Sequence, residues 1–317
     1  MFYPLNRALR QPRLLGVLIA DACASGCVTT SARAAIELIA TGSLNQATDL
    51  SSLTGLLENG MTGNVLGGIG SGLAWAGGNT FLALPDRGPN ATAWNSAVDD
   101  TTSYVARWQT VTMGLSPVAS GGLSYSLAPT LGSTTLLYSS TALNYGPVAS
   151  VGNTADKFFF NGRSDNFAAG NSLNANNARL DPEALRVSND GRSVFISDEY
   201  GPYVYQFDRT TGERIKTFTL PANLAISNLS PQGALEISGN TVGRVANKGM
   251  EGLAITPDGQ TLYGFMQSPL AQDSTGSLGK QYNRIVKINI ASGVALMLGG
   301  LVAVGAVKRR RRVAPAA

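Results

Sequence analysis

The feature that most constrains this chain is a hairpin written twice. Glu183-Ala-Leu-Arg-Val-Ser-Asn-Asp-Gly-Arg-Ser-Val-Phe-Ile-Ser197 aligns without a gap on Glu251-Gly-Leu-Ala-Ile-Thr-Pro-Asp-Gly-Gln-Thr-Leu-Tyr-Gly-Phe265. In both, two strand-like runs flank an Asp-Gly turn, and Asn, Asp and Gly accept the positive φ that a tight hairpin needs. A fainter third copy runs from Ser71 to Gly88. The first copy continues into a longer pattern, with strands expected over Glu183–Ser188, Ser193–Ser197, Tyr203–Asp208 and Glu213–Leu220. Its joints are Asn-Asp-Gly, Asp-Glu-Tyr-Gly-Pro and Thr-Thr-Gly, and its strands alternate with a period near two. A four-stranded antiparallel unit of about 40 residues is the size of one propeller blade. In each copy a polar residue opens the first strand (Ser71, Glu183, Glu251), and the second strand ends near a polar cluster (Asp86-Arg87, Asp198-Glu199, Gln267). Blades packed round an axis gather those positions at one mouth of a central channel, which makes that mouth the candidate site.

Composition supports an all-β reading. With 37 Gly, 14 Pro and 14% charged residues in 317, the chain suits a turn-rich sheet protein with a sizeable core. Its net charge of +4 misleads as a guide to partners, because Lys308 and Arg309 to Arg312 sit at one terminus and Arg7, Arg10 and Arg13 at the other. Without those cations the middle is about −4, which argues against a nucleic-acid face. There is no His at all. Ser-His-Asp and Cys-His hydrolases and His-ligated zinc are therefore excluded, and chemistry falls to carboxylates, amides, Lys, Arg and a hard metal ion. Cys23 and Cys27 lie too close in sequence to staple the β region by pairing with each other.

Along the chain, three Arg precede the short apolar run Leu14–Ala20 and then small residues, a secretory-signal pattern interrupted by Asp21. Ala24-Ser-Gly-Cys27 resembles a lipobox with Ala24 in place of Leu. The Gly-rich GNVLGGIGSG lacks the Lys-Ser/Thr of a P-loop, so its glycines read as turns and close strand approach near the channel. Asp99-Asp100 has the side chains of a calcium site but also those of a solvated loop, and the Asn-rich stretch 161–177 reads as a long surface loop. After Asn283–Ile290, a third strand for the second copy, the chain enters the apolar VALMLGGLVAVGAV and then KRRRR, an arrangement that would keep those charges in the cytoplasm and the body outside.

With these motifs in view, the chain resembles the bacterial family known for the esterase-like activity of phytase, the phytase-like domain proteins. The residues that carry the resemblance are ATDLSSLTGLLENG, SGLAWAGGNTFLALPDRGPNA, NSAVDDTTSY, GRSDNF, ARLDPEALRVSNDGRSVFISDEYGPYVYQFD, LSPQGALEISGN and NKGMEGLAITPDGQTLYGFMQSPL, from about Ala34 to Gly293. The resemblance implies a secreted, β-propeller-like fold and a phosphoester or ester hydrolase. Family members continue past the position of Gly293 into further strands, so an incomplete or truncated propeller is expected here. The tail resembles a PEP-CTERM sorting segment without its Pro-Glu-Pro. Three regions follow: a signal-like segment 1–33, a phytase-like propeller domain 34–293, and an apolar segment with a basic tail 294–317. The protein is expected to be exported to the periplasm, the exterior or the cell surface, with the tail as a route to membrane attachment.

A likeness to propeller phytases assigns roles. Asp86, Asp181, Glu183, Asp198, Glu199 and Glu251 are the expected ligands of one or more calcium ions, because hard cations take clustered carboxylate oxygens. Arg87 and Lys248 would clamp phosphate oxygens and form the catalytic set with Glu183 and Glu251, while Asn247 and Gln267 would orient substrate or metal. Without His no side chain is at hand as a base near neutral pH, so activation of water by the metal is expected. Each residue has a plainer reading too. Glu183 and Glu251 could be ladder-end carboxylates accepting backbone N–H groups, Asp198-Glu199 an acidic turn, and Arg87 and Lys248 their ion-pair partners. The expected partner is a small phosphate or carboxylic ester. A calcium-dependent lactonase or arylesterase would use the same cage, and a non-catalytic surface propeller that binds a ligand would leave the channel inert.

Overall fold

The computed structural model describes residues 36–90, 101–119, 121–146, 149–201, 203–273 and 282–298. The signal-like segment 1–33 with Cys23 and Cys27, the Asp99-Asp100 pair and the tail beyond Leu298 lie outside the described residues. Residues 1–39 and 40–317 separate into two units, and every strand among the described residues belongs to the second.

Three four-stranded antiparallel meanders make up the body. The first blade holds β1 (Gly72–Trp75), β2 (Thr80–Leu84), β3 (Arg107–Pro117) and β4 (Tyr125–Leu136). A two-stranded ribbon, β5 (Tyr138–Ser139) with β6 (Phe158–Phe159), follows it. The second blade holds β7 (Pro182–Val187), β8 (Ser193–Asp198), β9 (Tyr203–Asp208) and β10 (Arg214–Thr217). The third holds β11 (Met250–Ile255), β12 (Thr261–Met266), β13 (Ile285–Asn289) and β14 (Ala295–Leu298). The opening strands form one row, β1 against β7 and β7 against β11. That is the arrangement of neighbouring propeller blades, and the described residues contribute three blades without closing a ring.

The middle blade shows why the stack holds together. All of β8 is buried. Because side chains alternate across a strand, Val194 and Ile196 enter one core with Leu82, Trp108, Phe160, Tyr205 and Phe207, while Phe195 enters the other with Val204, Phe218, Leu253, Leu262 and Ile288. Each large apolar side chain so buried contributes roughly 1.5–3 kcal/mol. Aromatic edges lock the first core, with Trp108 and Phe207 T-shaped at 6.4 Å and Phe160 and Phe207 at 5.9 Å.

Two expectations are corrected here. The Asn-rich stretch 161–177 is no surface loop, because Asn161, Ser164, Asn166, Ser172 and Asn177 are buried in it. Several of its amides bond within the stretch: Asn161 Oδ1 accepts from Asn166 Nδ2 at 2.7 Å and from the Arg163 N–H at 3.0 Å, while Asn166 Oδ1 is buried without a partner. The third blade also has its fourth strand. β14, taken from the start of the run read as an apolar tail, pairs with β13 from Ile285↔Leu298 to Ile288↔Ala295.

The motif ATDLSS is structural. Asp49 and Arg107, both fully buried as side chains, form an ion pair, and Gln109 Nε2 adds a bond to the same carboxylate at 3.3 Å. Among the described residues no helix is long and apolar enough to cross a membrane.

Candidate functional site

The two hairpin copies share a backbone irregularity that the sequence does not announce. In the second blade the register shifts between Pro182 and Ala184, and in the third between Met250 and Gly252. Glu183 and Glu251 are therefore the extra residues of two β-bulges at matching places on the inner strands. A bulge bends its strand and re-aims one side chain, which is how two adjacent blades point a carboxylate at the same mouth.

Asp86 follows β2 and Asp181 precedes β7. One carboxylate oxygen each from Asp86, Asp181 and Glu183 lie within 4.8 Å of one another. Of the six expected ligands, these three come together this closely among the described residues. Asp181 is fully buried, Glu183 half-buried and Asp86 exposed, so the cluster runs from the interior to the surface.

Arg87 ties the blades together. Its Nη1 donates to Asp181 Oδ2 at 2.7 Å and to Asn247 Oδ1 at 2.6 Å, and its backbone N–H donates to Asp86 Oδ1 at 2.6 Å. Tyr200 lies under the guanidinium at 5.6 Å, and Arg179 stacks on the same ring at 3.2 Å. Asn247 reaches Arg87 from a tight turn in which its own φ is +52° and the Lys248 N–H bonds Val245 O at 3.1 Å. Lys248, Asn247 and Gln267 are exposed at the rim.

Glu199 and Glu251 form a second group beside the first. Glu199 Oε1 accepts the Gly249 N–H at 3.3 Å. The Gln267 amide, oriented so that both its ends are satisfied, donates to Glu199 Oε1 at 3.3 Å and to Asn247 O at 3.0 Å. Asp198 is largely committed to the backbone, since its Oδ1 accepts the N–H groups of Asp181 at 3.0 Å and Tyr200 at 3.1 Å. Glycines make this closeness possible. A Cβ on Gly249 would stand 2.1 Å from Glu199 O, and one on Gly162 would stand 1.9 Å from Arg87 O.

So many carboxylates in a buried place raise one another's proton affinity. Burial pushes Asp181 well above the usual carboxylate range, against the pull of Arg87. Burial, with Asp181 and Asp86 beside it, pushes Glu183 up to about 10. Glu199 rises to about 7 through burial and the charge of Glu251, and Asp198 to about 7 through burial that outweighs its backbone hydrogen bonds. Glu251 rises as well, by burial and Asp86. Arg87 is held above its ordinary value because Tyr200, Asp181 and Asp86 outweigh its own burial. Burial first and the Glu251 charge second thus bring Glu199 closer to neutral pH than a glutamate ordinarily stands, which bears on the expectation that a chain without His has no base there.

The same crowding tests whether a cation fits. Within the cluster Asp181 Oδ1 is a buried oxygen without a hydrogen-bond partner, and outside it so are Asp198 Oδ2 and Glu251 Oε2. An unpartnered buried carboxylate oxygen beside two further carboxylates is the kind of donor a hard ion such as calcium takes.

Sequence reasoning missed the supports. Arg163 pairs with Glu58 at 2.7 Å and Asp165 at 2.6 Å, joining GRSDNF to LLENG across the fold. Arg244 donates to the Tyr200 carbonyl and pairs with Glu236 at 2.6 Å, tying the backbone at Tyr200 to the LSPQGALEISGN stretch. Nothing in any of these stretches alone identifies its partner.

The family described as phytase-like, with esterase-like activity of phytase, matches residues 64–299. A protein of Arthroderma benhamiae described as an uncharacterized secreted protein is 36% identical over 118 residues, which are 33% of this chain and 22% of that protein. The match thus spans about a fifth of that relative. Among solved structures, hydrazine synthase of Kuenenia stuttgartiensis aligns at 12% identity over 72% of this chain and 49% of its own, with a TM-score of 0.28. The β-propeller domain of Myceliophteria thermophila Cps50 (Swd1) aligns at 12% identity over 73% of each chain, with a TM-score of 0.24. Scores at that level say nothing about this chain's chemistry.

Proposed function

The chain belongs to the phytase-like family, the one described by the esterase-like activity of phytase, and on that premise we propose that it is an exported hydrolase of phosphoric esters that works with calcium at the mouth shared by its blades. The observation that carries the reading is the meeting of Asp86, Asp181 and Glu183 within 4.8 Å beside the Arg87 guanidinium. Export is supported by the relative described as secreted and by the signal-like start of the sequence.

Asp86, Asp181 and Glu183 would hold the ion, with Glu251 and its unpartnered Oε2 next to them. Calcium, when bound, supplies charge to offset the phosphoryl oxygens and makes a water more acidic. The chain's own residues do the rest. Arg87 is fixed by Asp181 and Asn247 through one nitrogen, so its other N–H groups are pre-oriented for a phosphate oxygen. Exposed Lys248 and Gln267 meet the ester at the rim. Glu199, pushed up to about 7, holds or releases a proton at Oε2 near neutral pH and serves as the general acid–base group. Its Oε1 is kept in place by the Gly249 N–H and the Gln267 amide.

The test is hydrolysis of p-nitrophenyl phosphate by the full chain, with calcium or with a chelator, beside p-nitrophenyl acetate. The expected result is calcium-dependent release of phosphate that falls by at least about 100-fold in Asp181→Asn and Glu183→Gln. Well-folded protein that cleaves only the acetate would replace this reading with the lactonase or arylesterase one. Folded protein inert to both would leave a binding propeller.

A further inference from the structure

A cleft of about 380 Å³ opens beside the carboxylate cluster, bounded by Met61, Val65, Gly67, Gly68, Pro85 and Pro89, with Asp86 on its wall. Asp86 thus belongs both to the carboxylate cluster and to the cleft. We propose that this cleft seats an apolar leaving group, so that the ester cleaved is an aryl or alkyl phosphate rather than a polyphosphorylated one. The inference rests on the hydrolase reading above and names its substrate class.

Three observations carry it. First, among the described residues the lining offers thioether, valine, proline and glycine surface, and Asp86 is its one charged side chain. A second phosphate placed there would meet a carboxylate and no cation, whereas an aromatic ring or alkyl chain would lose only apolar contact with water. Second, the volume falls within the range of small-molecule sites. Third, two glycines shape the cleft. Gly67 of the Gly-rich loop and Gly88 after β2 take positive φ values of 74° and 101°, and a Cβ on either would press on Tyr104, at 3.1 Å from its hydroxyl and 2.3 Å from its side chain respectively. Both segments therefore lie down on Tyr104, while a Cβ on Gly68 would find nothing within 4 Å. Met61, 42% exposed and flexible, stands at the open side, where a thioether can adapt to a ring.

The test uses the full chain with calcium and compares kcat/KM for 1-naphthyl phosphate, glycerol 2-phosphate and inositol hexakisphosphate. The result expected is a preference for the naphthyl ester of at least about tenfold over glycerol 2-phosphate, and a fall of the same size in that ratio in Gly68→Phe, whose ring would occupy the cleft. Equal rates for the two esters, preference for the hexakisphosphate, or an unchanged ratio in folded Gly68→Phe would overturn the proposal. Binding of 1-naphthol, followed by its fluorescence, keeps the two readings apart because it needs neither phosphate nor turnover. If the chain cleaves no phosphate ester, the hydrolase reading fails, and naphthol binding still decides the cleft. Saturable binding that Gly68→Phe abolishes and Met61→Ala weakens would support an apolar seat. Binding that is absent, or the same in all three proteins, would overturn it.

Discussion

Glu183 holds its proton far more tightly in the folded protein than a glutamate ordinarily does, at about 10 against 4.5, and Glu199 and Asp198 do so at about 7 against 4.5 and 3.8. Between each pair of values the folded state binds a proton that the unfolded state has lost, so stability falls as pH rises through that window. Calcium-free protein should therefore melt at a lower temperature at pH 8 than at pH 5 in scanning calorimetry with a chelator. Glu183→Gln should flatten the curve above pH 7, because Glu183, pushed up to about 10, still holds its proton there in the folded state. A melting temperature independent of pH would contradict the account of a crowded, charge-poor cluster. Close backbone approach is the other constraint at this scale. Gly249→Ala would drive a methyl into Glu199 O, and a loss of about 1–3 kcal/mol in urea unfolding is expected. The positions of Glu183, Glu251, Asp86-Arg87 and Gln267 were legible in sequence because a repeat fixes which residue opens or closes a strand. Tyr200, Arg179 and the Arg163–Glu58 pair were not, since their roles come from contacts between distant segments. Nor was the proton affinity of Glu199, which depends on what surrounds it.

At the scale of the strand, burial on one face or two decides what a substitution costs. Phe195 on β8 is buried in the core between the second and third blades, and Phe195→Ala should cost about 3–5 kcal/mol. Leu296 on β14 is 62% exposed, and Leu296→Ser should stay within about 0.5 kcal/mol. Chemical unfolding of the two variants side by side checks the contrast, and similar losses would mean that β14 is covered in solution. The first three strands of the second blade could be read to within a residue, because Asn-Asp-Gly and Asp-Glu-Tyr-Gly-Pro mark their ends, whereas the fourth, expected over Glu213–Leu220, spans Arg214–Thr217. β14 escaped notice for a physical reason: Ala295 and Met297 pack toward the core while Leu296 and Leu298 face out, yet all four are apolar, so the alternation has no contrast. The Asn-rich stretch misled in the opposite way, because amides that satisfy one another are as polar in sequence as amides that face water.

Across the whole molecule, the row formed by β1, β7 and β11 turns local hairpins into a site. The first blade delivers Asp86 and Arg87, the second Asp181, Glu183 and Glu199, and the third Glu251 and Gln267, with Asn247 and Lys248 on the approach to it. The hairpin repeat foretold one shared end for Asp86-Arg87, Glu183, Glu199, Glu251 and Gln267, while Asp181, Asn247 and Lys248 were expected from the family likeness alone. That Asp86, Asp181 and Glu183 close on one another more tightly than the rest follows from packing between blades, which no single repeat encodes. Their meeting is what makes a cation site here the reading to test. Calcium is titrated calorimetrically into the chelator-treated full chain and into Glu183→Gln. Saturable binding is expected in the native protein, weakened by at least about tenfold in the variant. No binding, or equal binding by the two folded proteins, would contradict it.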